Sequence, residues 1–329
     1  MKRSILVTGA GGFIGSHLCQ VLISRGYRVV GVDLRYPRNH MHGRPEDYQA
    51  VTGDFRNQEM MKELLNGVDI VFHLASAHLQ VNLPESEYWS VNVHSLRPLM
   101  EMASKSGVRR FVHVSTVGIY GDLKTWPADE ETRCEPQNIY SATKQAGEAV
   151  VKKYHEETGL PVVILRPAWV YGPGCPRTLK IYRTLRKGRF IMIGKGGNRR
   201  HPIYIRDMLA AFVLVIEAGS AVGETFIIGG SNAFSTAELV ASFCNVFNLA
   251  GPKIRLPMSL GKIAVSGAEL IFRLTGKEPP VSRRSLEFFN TNNAFDISKA
   301  ERLLGFHPAY TFEEGLEDSR EWLESHFSS

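Results

Sequence analysis

The chain begins with a short apolar run that stops at a cluster of glycines. Ser4-Ile-Leu-Val-Thr8 has the length and character of a buried strand, and Gly9-Ala-Gly-Gly12-Phe13-Ile14-Gly15 follows without a break. Phe13, Ile14, Leu18, Val21 and Leu22 then fall on one face of a helix. Strand, glycine turn and helix in that order form the context in which a dinucleotide-binding turn works. The glycines let backbone approach a pyrophosphate, and the helix start offers unpaired N–H groups at a positive dipole end. Gly9, Gly12, Phe13, Ile14 and Gly15 are therefore the first candidate cofactor contacts. A glycine turn that binds nothing is the plainer alternative.

The next strand, Tyr27 to Val32, ends on Asp33, about twenty residues beyond the glycines. A carboxylate there accepts hydrogen bonds from an adenosine ribose and repels a 2′-phosphate, which favours NAD over NADP. Arg35, two residues on, keeps NADP open.

Further along, Tyr140 and Lys144 stand four residues apart in Tyr-Ser-Ala-Thr-Lys, on one face of a helix. A phenol titrates near ~10 and is a poor base at neutral pH. A neighbouring ammonium favours the phenolate, so Tyr140 becomes able to exchange a proton with a secondary alcohol or a ketone. The same spacing also arises on ordinary solvated helices, and the glycine turn is what favours chemistry.

Strand-like runs end near Val7, Val32, Val51, Leu74, Ser115 and Leu165, with helical stretches between most of them. This alternation predicts an α/β, doubly wound Rossmann-type parallel sheet with a smaller mixed C-terminal substrate lobe. The boundary is expected near residue 172: 1–172 form the NAD-binding domain and 173–329 mainly the substrate lobe. Helices are expected over Ser141 to Glu157 and near 86–106, 207–218 and 236–247. With 43% hydrophobic residues in 329 and a net charge of +6, the composition fits a globular protein with an ample core. The longest apolar stretch, Met208 to Ile216, is too short to span a membrane, and glycines after Val7 interrupt any signal-like run. Four scattered cysteines argue against a zinc site or a disulfide framework and fit a cytoplasmic protein, and no metal is expected. The arginine doublets are dispersed, which argues against nucleic acid.

Together these motifs resemble the extended short-chain dehydrogenase/reductase family, which includes the NAD-dependent sugar-nucleotide epimerases and dehydratases. The resemblance runs from about Lys2 to Trp322 and extends to further motifs. Gly53-Asp54-Phe55-Arg56 implies that Asp54 meets the adenine amino group, with Phe55 beside it. His73-Leu74-Ala75-Ser76 resembles the strand end that passes under the cofactor. Ser115-Thr116-Val-Gly-Ile-Tyr120-Gly121 resembles the segment supplying the catalytic serine or threonine, here Thr116. Arg166-Pro167-Ala-Trp169-Val-Tyr171-Gly172-Pro173 resembles the strand leading to the substrate lobe, with Pro167 by the cofactor and Trp169 by the substrate. Asn92 is either a residue beside the active centre or an amide that packs two helices. By the same resemblance Tyr140 is the acid/base, Lys144 lowers its pKa and holds the nicotinamide ribose, and Thr116 bonds the reacting oxygen. Relatives often dimerise through a four-helix bundle, which implies a homodimer, and they return a strand from the substrate lobe to the main sheet, which implies returning elements near 201–230, here Thr225 to Ile228.

Val117 and Gly118 occupy the positions where similar 4,6-dehydratases carry Asp-Glu, which argues against dehydration. For the substrate, two readings stand. Arg200-His-Pro-Ile-Tyr204-Ile-Arg-Asp207 resembles the segment whose arginine grips the diphosphate in sugar-nucleotide epimerases, although Trp169 and Phe288 replace other residues of that pattern. Gly276-Lys-Glu-Pro-Pro-Val-Ser-Arg and Phe295-Asp-Ile-Ser-Lys-Ala-Glu-Arg-Leu-Leu-Gly305-Phe resemble the 3β-hydroxysteroid dehydrogenase branch and related bacterial β-keto acid reductases, although both branches share the Asp-x-Ser-Lys-Ala part. A stripe of Leu260, Ile263, Ala264, Gly267, Ile271 and Leu274, broadened by Val265, Leu270 and Phe272, is either core or the wall of a greasy pocket or membrane-facing surface. Epimerisation of a nucleotide sugar is the first expectation and oxidoreduction of a lipid or β-keto acid the second. A cofactor-binding scaffold without chemistry is a third.

Overall fold

The computed structural model describes residues 2–37, 46–78, 83–261, 263 and 283–327. Seven strands build the main sheet: β1 (Ser4–Thr8), β2 (Arg28–Asp33), β3 (Tyr48–Thr52), β4 (Ile70–His73), β5 (Arg110–Val114), β6 (Val162–Pro167) and β7 (Thr225–Ile228). Every pairing is parallel and the order is β7-β6-β5-β4-β1-β2-β3. Parallel strands are covered on both faces, so they need apolar runs rather than alternation. Ile70–His73 and Arg110–Val114 are buried throughout.

Helices α1 (Phe13–Ser24), α2 (Gln58–Leu64), α3 (Leu96–Lys105), α4 (Ile139–Thr158) and α5 (Ile205–Glu217) provide that cover. On one face Leu18 and Leu22 of α1 and Phe212 of α5 share a core with Val7, Phe72, Val112 and Leu165. On the other, Met61, Leu99, Met100 and Val151 meet Leu6, Val71, Phe111 and Ile164. Each such side chain contributes roughly 1.5–3 kcal/mol on burial. The chain runs outward from β1 through β2 to β3, then returns to β4 on the other side of β1. The carboxyl ends of β1 and β4 therefore flank the crevice where open sheets of this kind bind ligands.

α4 starts at Ile139, where the Asn138 side chain accepts a hydrogen bond from Ser141 N at 2.9 Å. It ends at Gly159, whose φ of +73° suits the left-handed cap. The stretch expected as one helix over 86–106 is instead broken into Glu85–Trp89, a π-turn over Ser90–His94, and α3. Pro98 explains the break: it lacks an N–H, and its ring excludes the carbonyl four residues earlier from a regular helix.

Beyond β6 the described residues form three small strand pairs. Trp169–Tyr171 pairs in parallel with Pro202–Tyr204, Arg199–Arg200 antiparallel with Phe234–Ser235, and Ile191–Ile193 in parallel with Ile254–Leu256. Leu260 and Ile263 are exposed. The rest of the apolar stripe (Ala264, Val265, Gly267, Leu270, Ile271, Phe272, Leu274) and most of the Gly276–Arg283 segment lie outside the described residues.

Candidate active site

The glycine turn is packed so closely that it has no room for side chains. A Cβ on Gly9 would stand 2.8 Å from Ala75 N, and one on Gly15 would stand 2.1 Å from the Gly9 carbonyl oxygen. Gly12 caps α1 through no side chain, and no acidic residue lies in the helix's first turn. The first intrahelical donor is Ser16 N, bonded to Gly12 O at 2.9 Å. The N–H groups of Phe13, Ile14 and Gly15 therefore remain for an anion, which fits the pyrophosphate of a dinucleotide. Asp33 accepts from Gly11 N at 2.9 Å and from Arg35 N at 3.1 Å. Gly11 was not among the expected contacts, yet a Cβ there would lie 2.2 Å from Arg35 O. It sets the distance between the turn and Asp33.

Across the crevice, Thr8 fixes the far wall. Its hydroxyl accepts from Ala75 N at 3.2 Å and lies 2.8 Å from His73 Nδ1, while Thr8 O accepts from Leu74 N. This orients the backbone of Leu74, Ala75 and Ser76, all half-buried at the strand end. Thr8 carried no signal in the sequence beyond its place at a strand end. Pro167 closes β6 on the same edge, in register with Ile228. Phe55 is buried with its ring edge-on to His73, centroids 4.9 Å apart. Asp54, expected at the adenine, holds Arg56: the guanidinium donates to both carboxylate oxygens at 2.6–3.1 Å. That bonding keeps the carboxyl below its usual range.

Tyr140 lies in the first turn of α4, half-buried, its ring 4.7 Å from that of His78. One turn on, Lys144 is fully buried and donates from Nζ to Val114 O at 2.6 Å. This bond ties α4 to the end of β5, two residues before Thr116. Thr116 caps the turn Val117–Tyr120 by accepting from Gly118 N at 3.0 Å. A Cβ on Gly118 would lie 3.0 Å from Ser141 Oγ, so the threonine's turn packs directly on the residue after Tyr140. Burial lowers the Lys144 pKa to about 8, against the opposing pull of the Glu148 carboxylate. Glu148 is one further turn along α4 and forms a buried pair with Arg166, 2.7 Å at closest approach. Arg166 also donates to Tyr120 Oη at 2.5 Å and to Glu130 O at 3.1 Å.

Asn92 sits one layer behind this group. Its Oδ1 accepts from Ala77 N at 2.8 Å, and its Nδ2 donates to Ala77 O and to Thr143 Oγ1. The amide thus joins the β4 loop to α4, and the backbone at Asn92 approaches Gly147 so closely that a Cβ there would meet Asn92 O at 2.6 Å. Here the amide packs elements together. Beneath lie His73 and His113, neighbours in register on β4 and β5, with rings stacked 5.7 Å apart. Burial, then the Lys144 charge, lowers the His73 pKa to about 3, and burial holds His113 well below its normal value.

Two of the substrate-side candidates, Trp169 and Arg200, converge on one aromatic ring. Trp169 meets Phe288 edge-on at 6.1 Å, and the Arg200 guanidinium lies 5.1 Å above the same ring. Arg200 donates through Nε to Phe288 O at 3.0 Å and through Nη2 to Glu287 O. Burial and the nearby Arg177 lower its pKa to about 9, so it remains cationic at neutral pH. The Trp169 indole N–H finds no acceptor among the described residues. Among those residues there is also no cluster able to hold a metal ion, and no helix long and apolar enough to cross a membrane.

The family model described as "NAD dependent epimerase/dehydratase family" matches residues 5–229. The uncharacterized UDP-glucose epimerase YtcB of Bacillus subtilis (strain 168) is 30% identical over 98% of this chain and 98% of its own length. The N-acetyl-α-D-glucosaminyl-diphospho-ditrans,octacis-undecaprenol 4-epimerase of Escherichia coli O157:H7 is 27% identical over 96% of this chain and 94% of its own. The crystal structure of UDP-glucuronic acid 4-epimerase from Bacillus cereus in complex with NAD matches with a TM-score of 0.80 at 26% identity, covering 98% of this chain and 99% of that one. Matches along almost the whole chain agree with a turn shaped for a dinucleotide, and on both grounds this chain belongs to the NAD-dependent epimerase/dehydratase family of enzymes, with NAD as its cofactor.

Proposed function

We propose that the protein epimerises a nucleotide sugar at a secondary alcohol, with Tyr140 as acid/base. The observation that carries this reading is the buried Lys144, one helical turn from Tyr140 and bonded to the end of β5 beside Thr116. Tyr140 takes the hydroxyl proton as the alcohol becomes a ketone and returns it after the ketone has turned over its other face. Lys144, still largely protonated at pH 7, favours the phenolate. Thr116 donates a hydrogen bond to the reacting oxygen. When bound, NAD supplies the hydride acceptor and donor, held at Gly9, Gly11, Gly12 and the first turn of α1, with Asp33 toward the ribose. Arg200 meets the diphosphate and Trp169 the sugar. The fold boundary near residue 172, a homodimer and a cytoplasmic location belong to the same proposal.

The similarity of the chain to UDP-sugar epimerases supports the substrate class. The test is to purify the protein, denature it and assay the released NAD, then supply UDP- and dTDP-hexoses. About one NAD per chain and epimerisation abolished by Tyr140→Phe are expected. A protein that gains and loses NAD freely and reduces keto lipids without needing Arg200 would refute this reading in favour of net oxidoreduction. If every cellular role survived Tyr140→Phe, the protein would be a scaffold.

A further inference from the structure

One rim of the substrate lobe combines positive charge with bare aliphatic side chains. Between Pro173 and Gly197 the sequence carries seven lysines and arginines and no acidic residue, and between Leu239 and Gly261 it carries Lys253 and Arg255, again with no acid. These nine positive charges exceed the net +6 of the whole chain, so the remainder is net acidic. The two segments meet in the strand pair Ile191–Ile193 and Ile254–Leu256, where Ile191 and Ile254 are register partners. Partners in register point to the same face.

Six large apolar side chains stand exposed among the described residues, and four of them are here: Ile191, Ile254, Leu260 and Ile263. Gly261 packs on Ile193, its Cβ position 2.5 Å from that side chain, so the 257–261 segment lies along the same strand pair. Arg189, Lys253 and Arg255 are exposed around this group, and none makes an ion pair among the described residues. Next to Arg189, a groove of about 430 Å³ has Pro176 and Leu179 in its lining and Lys180, Arg183 and Lys187 around it.

We propose that this rim docks the protein on an anionic phospholipid bilayer. Aliphatic side chains ringed by lysine and arginine suit the bilayer interface, where the apolar groups leave water and the cations meet headgroup phosphates. A nucleic acid would satisfy the charges but offers no apolar phase for four exposed aliphatic residues. The surface acts whatever substrate the active site accepts.

The full chain, loaded with NAD, is sedimented with vesicles of phosphatidylcholine alone and with vesicles containing phosphatidylglycerol. Sedimentation is expected with the anionic vesicles only, and to weaken as salt is added. Lys253→Ala with Arg255→Ala should lower the partition coefficient on the order of thirtyfold while NAD binding persists. Ile263→Asp, at the most exposed of the four aliphatic residues and outside the paired strands, should lower it as well. Equal sedimentation with neutral and anionic vesicles, no sedimentation with either, or unchanged binding by both variants would overturn the proposal. So would a labelled DNA duplex that bound more tightly than the anionic vesicles.

Discussion

Replacing Glu148 with glutamine separates two roles that its position gives it. The carboxylate is one turn of α4 beyond Lys144 and also holds Arg166 in a buried pair. Side chains four residues apart on a helix are about 6 Å from each other. At an effective dielectric of ~20, two charges at that distance interact by about 3 kcal/mol, equivalent to about two pH units. Arg166 keeps its charge in both proteins and so cancels from this difference. Loss of the negative charge therefore moves the Lys144 pKa further below its present value near 8. The ammonium is then lost at lower pH, and the alkaline fall in kcat moves down by about two pH units. Arg166 meanwhile keeps its bonds to Tyr120 and Glu130 but loses its counter-charge, which costs about 3–5 kcal/mol of stability. The assay is kcat against pH for both proteins, beside urea denaturation at pH 7. A variant that is less stable yet keeps the wild-type alkaline limb would refute the electrostatic reasoning and leave Glu148 a purely structural residue.

Three further outcomes can be checked directly. Lys144→Met should abolish turnover yet raise stability at pH 7 by about 1–3 kcal/mol, because the buried ammonium is penalised in the folded state; the gain is full below about pH 8 and narrows toward pH 10.5, as denaturation across that range would show. His113→Leu should move the acid-unfolding midpoint to lower pH: below about 6.5 the unfolded chain takes up a proton that the buried imidazole refuses, a loss of about 1.4 kcal/mol per pH unit that leucine removes, and circular dichroism against pH measures it. Gly15→Ala should weaken NAD binding roughly ten- to a hundredfold by calorimetry, since its Cβ would push Gly9 and the turn apart.

The sequence made legible whatever is decided locally. The glycine turn, the strand before it and the four-residue step from Tyr140 to Lys144 all depend on neighbours in the chain, and each stands where local pattern puts it. The pairs that tune the site are set by lateral register and by packing between layers. His73 and His113 meet only because β4 and β5 align residue for residue, and Glu148 finds Arg166 only because α4 lies across β6. Pro98 was visible, but its effect on the helix before it, a π-turn that brings Asn92 to Ala77 and Thr143, depends on how α4 packs alongside. The Asp54–Arg56 pair is local too, two residues apart along the chain, and its carboxylate is held by that neighbour.

The place of β7 has a consequence for how the polypeptide can be divided. The strand at Thr225–Ile228 comes after the small strand pairs have begun, yet it completes the main sheet against β6. A fragment ending at residue 172 would carry the glycine turn, Thr116, Tyr140 and Lys144 but expose the N–H and C=O groups of β6 as an unpaired edge. It would also lack α5, whose Phe212 covers Phe72 at 5.6 Å. Such an edge invites pairing between copies. The half of this chain that carries Tyr140 and Lys144 is therefore not a separable module: during synthesis its sheet stays open on one side until well over two hundred residues have been made, and ribosome-bound or truncated forms should need a chaperone over that interval.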